Sequence, residues 1–453
     1  MKTYQDLLEV GQDEQKRVEF VQAAISDHES SALYRIAKDA DAYYRHENPR
    51  ILRLQKYIYD VLGRQVPDPT AANNKIPCRY YFYFVTQAVQ YLLGNGVNFS
   101  NPSTAEKLGE SFDYDLQNLA TKALNGGVAF GYWNLDHLEV FPIYGGNGEV
   151  SFVPLYDETN GYLMAGVRYW CIDATKPLRA TLFEADGYTE YIRPSGEEMQ
   201  ILSPKTSYIK IVRKSEATGT EISDGGNYPS LPIIPLYNVN RQSELVGIRN
   251  TLDAYDLTLS GLVNNVDEGN LIYWIIQNAG GMTDADDQRF VERLKTLHVV
   301  HTEDQEQVTS HSVEASFQPS RETLEELRAR LFEDAMAVDV KEISGGGADT
   351  ATRIRSAYEP MNLKSNLLEA QVSAFIRRLL DLLGLKDTPT YTRDSIVNRT
   401  EEIQTLVQAA EHLSDEYITK KILTLYGDID KYEEVMAQRV NEEAMRTPVG
   451  DNE

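Results

Sequence analysis

Between Thr350 and Leu383 the apolar positions are spaced for a helix: Ile354, Tyr358, Met361, Leu367, Leu368, Val372, Phe375, Ile376, Leu379, Leu380 and Leu383. The pattern predicts one helix of about 50 Å, since each residue rises about 1.5 Å. Gly384 closes it, and Pro360, inside it, predicts a kink. Ahead of it stand three consecutive glycines, Gly345-Gly346-Gly347. Before those, a second helical pattern opens at Pro319-Ser320 and runs to about Val338 on Leu324, Leu327, Leu331 and Met336. A glycine loop at the head of a long kinked helix suits a moving part better than an enzyme site.

Upstream, residues 1–66 read as helices, including Ala32 to Tyr44 and Pro49 to Leu62, followed by a polar loop from Thr70 to Asn74. Ile76 to Leu93 is an aromatic-rich helix that Gly94-Asn95-Gly96 stops, with extended chain from Val97 and another helix from Thr104 to Leu124. The period then shortens. Val128–Trp133, Leu138–Ile143, Val150–Leu155, Val167–Ile172, Arg179–Phe183, Thr189–Arg193 and Ser207–Val212 predict an antiparallel β region punctuated by glycine turns. Pro229 to Pro235 ends it as a proline-pinned extended segment.

Ser243 is placed to cap a helix to about Glu268, with Leu245, Ile248, Leu252, Tyr255, Leu259, Leu262 and Val266 forming a heptad seam. The seam packs either on its own domain or on a neighbouring subunit; spacing alone does not choose. A small α/β insert follows: strand Leu271–Ile276, helix Thr283–Leu297, and strands His298–Thr302 and Gln307–Val313. The tail predicts an extended Pro389–Arg393 and helices at Thr400–His412, Ser414–Leu425 and Asp428–Met445. The expected class is α+β.

Charge removes several functions. The formal net charge of −25 on 453 residues excludes a general nucleic-acid coat, which needs a basic footprint. With two cysteines, Cys78 and Cys171, and no CxxC, neither a disulfide scaffold nor a zinc ribbon is expected. The first residues lack a signal-peptide core, and no apolar run reaches the roughly 18 residues of a membrane span. No membrane partner is therefore expected. Phosphate and catalytic motifs (GxxxxGK followed by Ser or Thr, HExxH, GxSxG) are missing, so no cofactor is expected. His298, His301 and His311 are read as sheet-face histidines, and Asp284, Asp286 and Asp287 as charges at a helix N-terminus, so no metal site is expected. Lys341, Arg353 and Arg355 are cations clustered around the glycines, placed either to touch phosphate or to pair with Glu342 and Asp349.

The order of these elements resembles the portal proteins of tailed bacteriophages, of the long-tailed type. Tyr43-Tyr44-Arg45-His46-Glu47-Asn48, Asn73-Asn74-Lys75-Ile76 and Tyr91-Leu92-Leu93-Gly94-Asn95-Gly96 carry the likeness in the first half. Pro232-Ile233-Ile234-Pro235-Leu236-Tyr237-Asn238, Ile248-Arg249-Asn250-Thr251-Leu252-Asp253-Ala254-Tyr255-Asp256 and Ser414-Asp415-Glu416-Tyr417-Ile418 carry it in the second. One departure is that Ser344-Gly345 is followed by two more glycines, where the family often has a small residue.

The resemblance implies a wing (1–240), stem helices (241–269 and 319–339), a clip (270–318), a tunnel loop (340–350), a long kinked helix returning to the wing (351–396), and a crown with C-terminal tail (397–453). It implies a ring of usually about twelve copies at one capsid vertex of the virion, assembled in host cytoplasm, conducting double-stranded DNA in packaging and ejection. It also implies docking to terminase, a head-completion or adaptor protein, and the major capsid and scaffolding proteins. DNA-facing residues would be Lys341, Ser344, Gly345, Gly346, Gly347, Asp349 and Arg353, and the seam would face a neighbouring stem. No catalysis is expected of the chain itself. Two other classes stay open: an acidic hydrolase using a carboxylate pair in the β region, and a monomeric scaffold or adaptor with helical arms.

Overall fold

A capping box opens the chain. The Asp6 backbone N–H donates to Thr3 Oγ1 (3.3 Å) and the Thr3 N–H to Asp6 Oδ2 (2.9 Å), starting α1 (Tyr4–Val10). The computed structural model describes residues 2–59, 62–68, 71–146, 148–173, 175–215, 219–269, 272–277, 307–312, 317–341, 351–393, 406–408, 413–426 and 431–446. It divides into two units: Met1–Ala337 with Lys364–Thr392, and Val338–Leu363 with Arg393–Glu453.

In the first unit, α2 (Glu14–Ser30) and α3 (Ala32–Tyr44) follow α1. The expected helix at Pro49–Leu62 is instead a single turn, α4 (Pro49–Leu52), and a hairpin of β1 (Tyr57–Tyr59) with β2 (Gln65–Pro67). Aromatic and β-branched residues at 57–59 and the left-handed Gly63 (φ +73°) favour strand and turn there. The aromatic-rich pattern forms α5 (Tyr80–Leu93), and β3 (Val97–Asn98) follows. The helix expected at 104–124 is split into α6 (Pro102–Leu108) and α7 (Phe112–Gly126), because Gly109 (φ +85°) takes a backbone shape that helices exclude.

The β region is antiparallel throughout, as its period predicts. Strands β4 (Val128–Asn134) and β5 (His137–Pro142) join β13 (Ile233–Tyr237) in the order β13-β4-β5. Strands β6 (Ser151–Tyr156), β7 (Leu163–Trp170), β8 (Leu178–Glu184), β9 (Gly187–Arg193) and β10 (Gln200–Thr206) form a five-stranded meander, and β11 (Ile209–Ser215) pairs with β12 (Gly219–Gly226). The proline-pinned segment is thus a strand, and at the edge of its sheet Pro235 withholds no ladder donor from an inner partner. Strand β4 is buried on both faces. Val128, Phe130 and Tyr132 join an aromatic core with Phe141, Phe152 and Phe183, while Ala129 and Trp133 join the helical core. Helices α1 and α2 cover the five-stranded sheet through Leu7, Val21, Ala24 and Ile25 against Val153, Val167 and Leu182.

Helix α8 (Leu245–Gly269), the antiparallel strands β14 (Ile272–Gln277) and β15 (Gln307–Ser312), and α9 (Phe317–Asp334) come next. The long pattern is one helix, α10 (Ala351–Leu382), continuous through the exposed Pro360. Its C-terminal part lies in the first unit, where Phe375 packs on β4 over Gly131; a Cβ there would sit 2.6 Å from the Phe375 ring. Strand β16 (Thr390–Tyr391) pairs with β3, so the two extended segments read from the sequence are partners. The second unit holds the start of α10, α11 (Asp415–Tyr426) and α12 (Tyr432–Arg446). Ser414 Oγ caps α11 by accepting from the Tyr417 N–H (3.3 Å), and Arg439 joins the two helices through Asp415 (2.5 Å). The expected helix at 283–297 and strand at 298–302 lie outside the described residues, as does most of the expected helix at 400–412.

Candidate functional site

The helix–strand pair–helix segment centres on α8 and α9. Ser243 Oγ accepts from the Leu245 N–H (3.2 Å) at the head of α8. The heptad seam then divides. Leu245, Ile248 and Leu252 are enclosed in the subunit's own core, and Tyr255 packs against that core. Leu259 and Leu262 are half-buried and Val266 is exposed. Tyr80 of α5 meets Tyr255 of α8 edge-on (5.2 Å) and Phe332 of α9 (5.8 Å), so α8 and α9 pack antiparallel, with β14 and β15 at their far end.

A second stripe on α8, unread in the sequence, is polar and buried: Asp253, Asp256, Ser260 and Asn264. It holds the extended segment 74–78. Asn264 Oδ1 accepts from the Asn74 N–H (2.7 Å), Ser260 Oγ from the Ile76 N–H (3.0 Å), and Asp256 Oδ1 from the Cys78 N–H (2.7 Å). The periods match. Two extended residues advance about 6.6 Å and four helical residues about 6 Å, so every second N–H meets one helix turn. Asp256 Oδ2 also accepts from Asn48 Nδ2 (2.5 Å), and the Tyr43 hydroxyl donates to Asp253. Burial pushes the Asp256 carboxyl above the usual carboxylate value and raises the Cys78 thiol and the Tyr43 hydroxyl. The signal was available, since the polar positions 253, 256, 260 and 264 recur every three or four residues beside the apolar seam.

At the opposite end of the pair, Lys364 of α10 ties the helices together. Its Nζ contacts Glu244 at the head of α8 (2.7 Å) and donates to the Ala335 carbonyl just past α9 (2.9 Å). Asn238 Nδ2 donates to the same glutamate (2.8 Å). A cation at the carbonyl end of a helix is favourably placed against the helix dipole.

Of the residues expected to face DNA, two are described. Lys341 is exposed, with its backbone N–H donating to Asp339 Oδ1 (2.9 Å), and Arg353 is exposed in the first turn of α10. Ser344, Gly345, Gly346, Gly347 and Asp349 lie outside the described residues. Among the described residues no cluster of three or more His, Cys, Asp or Glu is arranged to hold a metal. His298 and His301 lie outside them, and His311 stands opposite Tyr273 in the β14–β15 ladder. In the β region, Glu139 is engaged by Arg168 (3.2 Å) and Glu184 by Arg17 and by Lys205 (3.1 Å). Carboxylates paired with cations in this way are poor candidates for general acid and base.

The family described as "Phage portal protein, SPP1 Gp6-like" matches residues 23–446. The chain is 25% identical over 414 residues to the portal protein of Bacillus phage SPP1, covering 86% of this chain and 79% of that one. It is 24% identical over 450 residues to the portal protein of Clostridium phage phiCD119 (strain Clostridium difficile/United States/Govind/2006), covering 87% and 92%. Among solved structures, a chain from the neck of a native GTA particle, computed with C12 symmetry, gives a TM-score of 0.40 at 13% identity over 76% of this chain and 89% of that one.

Proposed function

The chain belongs to the SPP1 Gp6-like family of phage portal proteins, and on that premise we propose that it forms a closed ring of about twelve copies at one capsid vertex. Double-stranded DNA passes through the ring during packaging and ejection. The observation that carries the reading is the family match across residues 23–446, which includes every element from α3 to α12. The likeness supplies the names: wing for 1–240, stem for α8 and α9, clip for 270–318, tunnel loop for 340–350, long helix for 351–396 and crown for 397–453. Terminase, a head-completion protein, and the capsid and scaffolding proteins are the partners it implies.

The physical chemistry supports a conduit. DNA carries about one negative charge per 1.7 Å, so a chain with a net charge of −25 repels it and keeps it from adhering. A few loop residues, Lys341 and Arg353 with the glycines between, touch phosphates transiently while the glycines let each copy's loop follow the helical pitch. No bond is made or broken in this chain; ATP hydrolysis belongs to the motor. Since the upper seam is enclosed within the subunit, contacts between stems fall to Leu259, Leu262 and Val266.

A genetic depletion tests the reading. Infections lacking this chain should yield heads without DNA, restored when the chain is supplied in trans. DNA-filled heads in its absence would sink the proposal.

A further inference from the structure

The apolar spacing of α9 outlasts the helix. Leu324, Leu327, Leu331, Ala335 and Val338 follow one another at three or four residues, and Ala335-Met336-Ala337 are strong helix formers, so the sequence predicts a helix to about Val338. The helix ends instead at Asp334, and the backbone is helical again only at Val340 and Lys341. No proline or glycine stands between. Met336 makes the stop by turning left-handed (φ +53°). Its N–H donates to the Glu333 carbonyl (3.0 Å) and the Ala337 N–H to the Phe332 carbonyl (3.0 Å), the paired bonds of a helix end at which glycine is the usual residue. In that backbone region a Cβ crowds the following carbonyl oxygen, so methionine holds the stop at a cost that glycine does not carry.

Lys364 of α10 braces the stop. Its Nζ donates to the Ala335 carbonyl (2.9 Å), the acceptor that the Asp339 N–H would need if α9 ran on, and is anchored by Glu244 (2.7 Å). Beside it lies a cavity of about 250 Å³ lined by Met336, Lys364, Glu244 and Leu367, which leaves room for the methionine side chain to swing. We propose that the end of α9 is a two-state switch with both states populated. In the short state the helix stops at Met336 and is latched by Lys364. In the long state the latch has left Ala335 and the helix is continuous through Val338, which then falls on the face of Leu331 and Ala335 and completes the apolar stripe. The chain leaves the first unit after Ala337 and returns at Lys364, so stop and latch stand at the two ends of one excursion, and the length of α9 is coupled to the position of α10. The switch belongs to a single subunit and does not depend on the ring reading; on that reading it sets the reach of Lys341.

Hydrogen exchange of the full-length protein, read by mass spectrometry at amides 338–341, tests the switch. Lys364→Met removes the latch and should slow exchange there roughly fivefold, because the long helix protects those amides. A lysine that only steadied the turn would give the opposite sign, since its loss would fray the helix end and speed exchange. Met336→Gly favours the short state; it should speed exchange at the same amides about twofold and, combined with Lys364→Met, cancel the slowing. Unchanged or faster exchange in the Lys364→Met protein, with the body of α9 still protected, would overturn the proposal. Should that variant unfold, Met336→Gly decides alone, and rates at 338–341 no faster than wild type would overturn it.

Discussion

Asp256→Ala is expected to lower the unfolding free energy by about 3–5 kcal/mol, among the larger single-residue effects available to this chain. The side chain is fully buried and accepts from the Cys78 N–H and from Asn48 Nδ2. Alanine leaves the Cys78 N–H without its acceptor and Asn48 Nδ2 with only the Cys78 carbonyl (3.2 Å). A loss of this size corresponds to a melting temperature lower by roughly 10 °C for a large domain. Asp256→Asn keeps one accepting oxygen and removes a buried charge, so its loss should stay below about 2 kcal/mol. Thermal and denaturant unfolding of the three proteins measures this. An alanine variant within about 1 kcal/mol of wild type would mean that the polar stripe does not hold segment 74–78 as described. The consequence reaches α8 as a whole, since this stripe fixes it against the segment leading into α5.

Replacing Gly345, Gly346 and Gly347 together by alanine should reduce DNA-filled heads by about an order of magnitude while ring assembly is unchanged. Glycine populates both signs of φ, and on the proposed ring reading three in succession would let each copy's loop take its own shape against a helical duplex. Alanine withdraws half of that space. The measurement counts filled against empty heads made with the variant and confirms its rings by mass. Normal filling would remove the loop from the conduction mechanism, and loss of rings would assign the glycines to assembly.

Much of the fold was legible because burial leaves periodicity. The meander β6–β9, the helix α3 at its observed limits, and the long α10 all follow from apolar spacing. Failures came where local chemistry overrode period. At Pro49–Leu62 the apolar residues Tyr57, Ile58 and Tyr59 suited a helix pattern but sit exposed on a hairpin, so no burial enforced the helical reading. At 104–124 one glycine divided a helix in two. The strands β10 and β12 have weak apolar signals, and their partners supplied the order. Helix α8 was half legible. The heptad seam was visible, but not that Leu245, Ile248 and Leu252 are enclosed in the same subunit, because spacing records which face is apolar and not what covers it. The polar stripe was overlooked because buried polar residues look like solvent-facing ones until their partners, here the N–H groups of Asn74, Ile76 and Cys78, are in place.

The proposed conduit and the contacts between copies both depend on the ring. Native mass measurement of the purified full-length chain, paired with end-on electron micrographs, tests it most directly. A 51.2 kDa chain in about twelve copies gives a particle near 600 kDa with a central channel. A folded protein that holds at the mass of a single chain, with no annular particles, would contradict it.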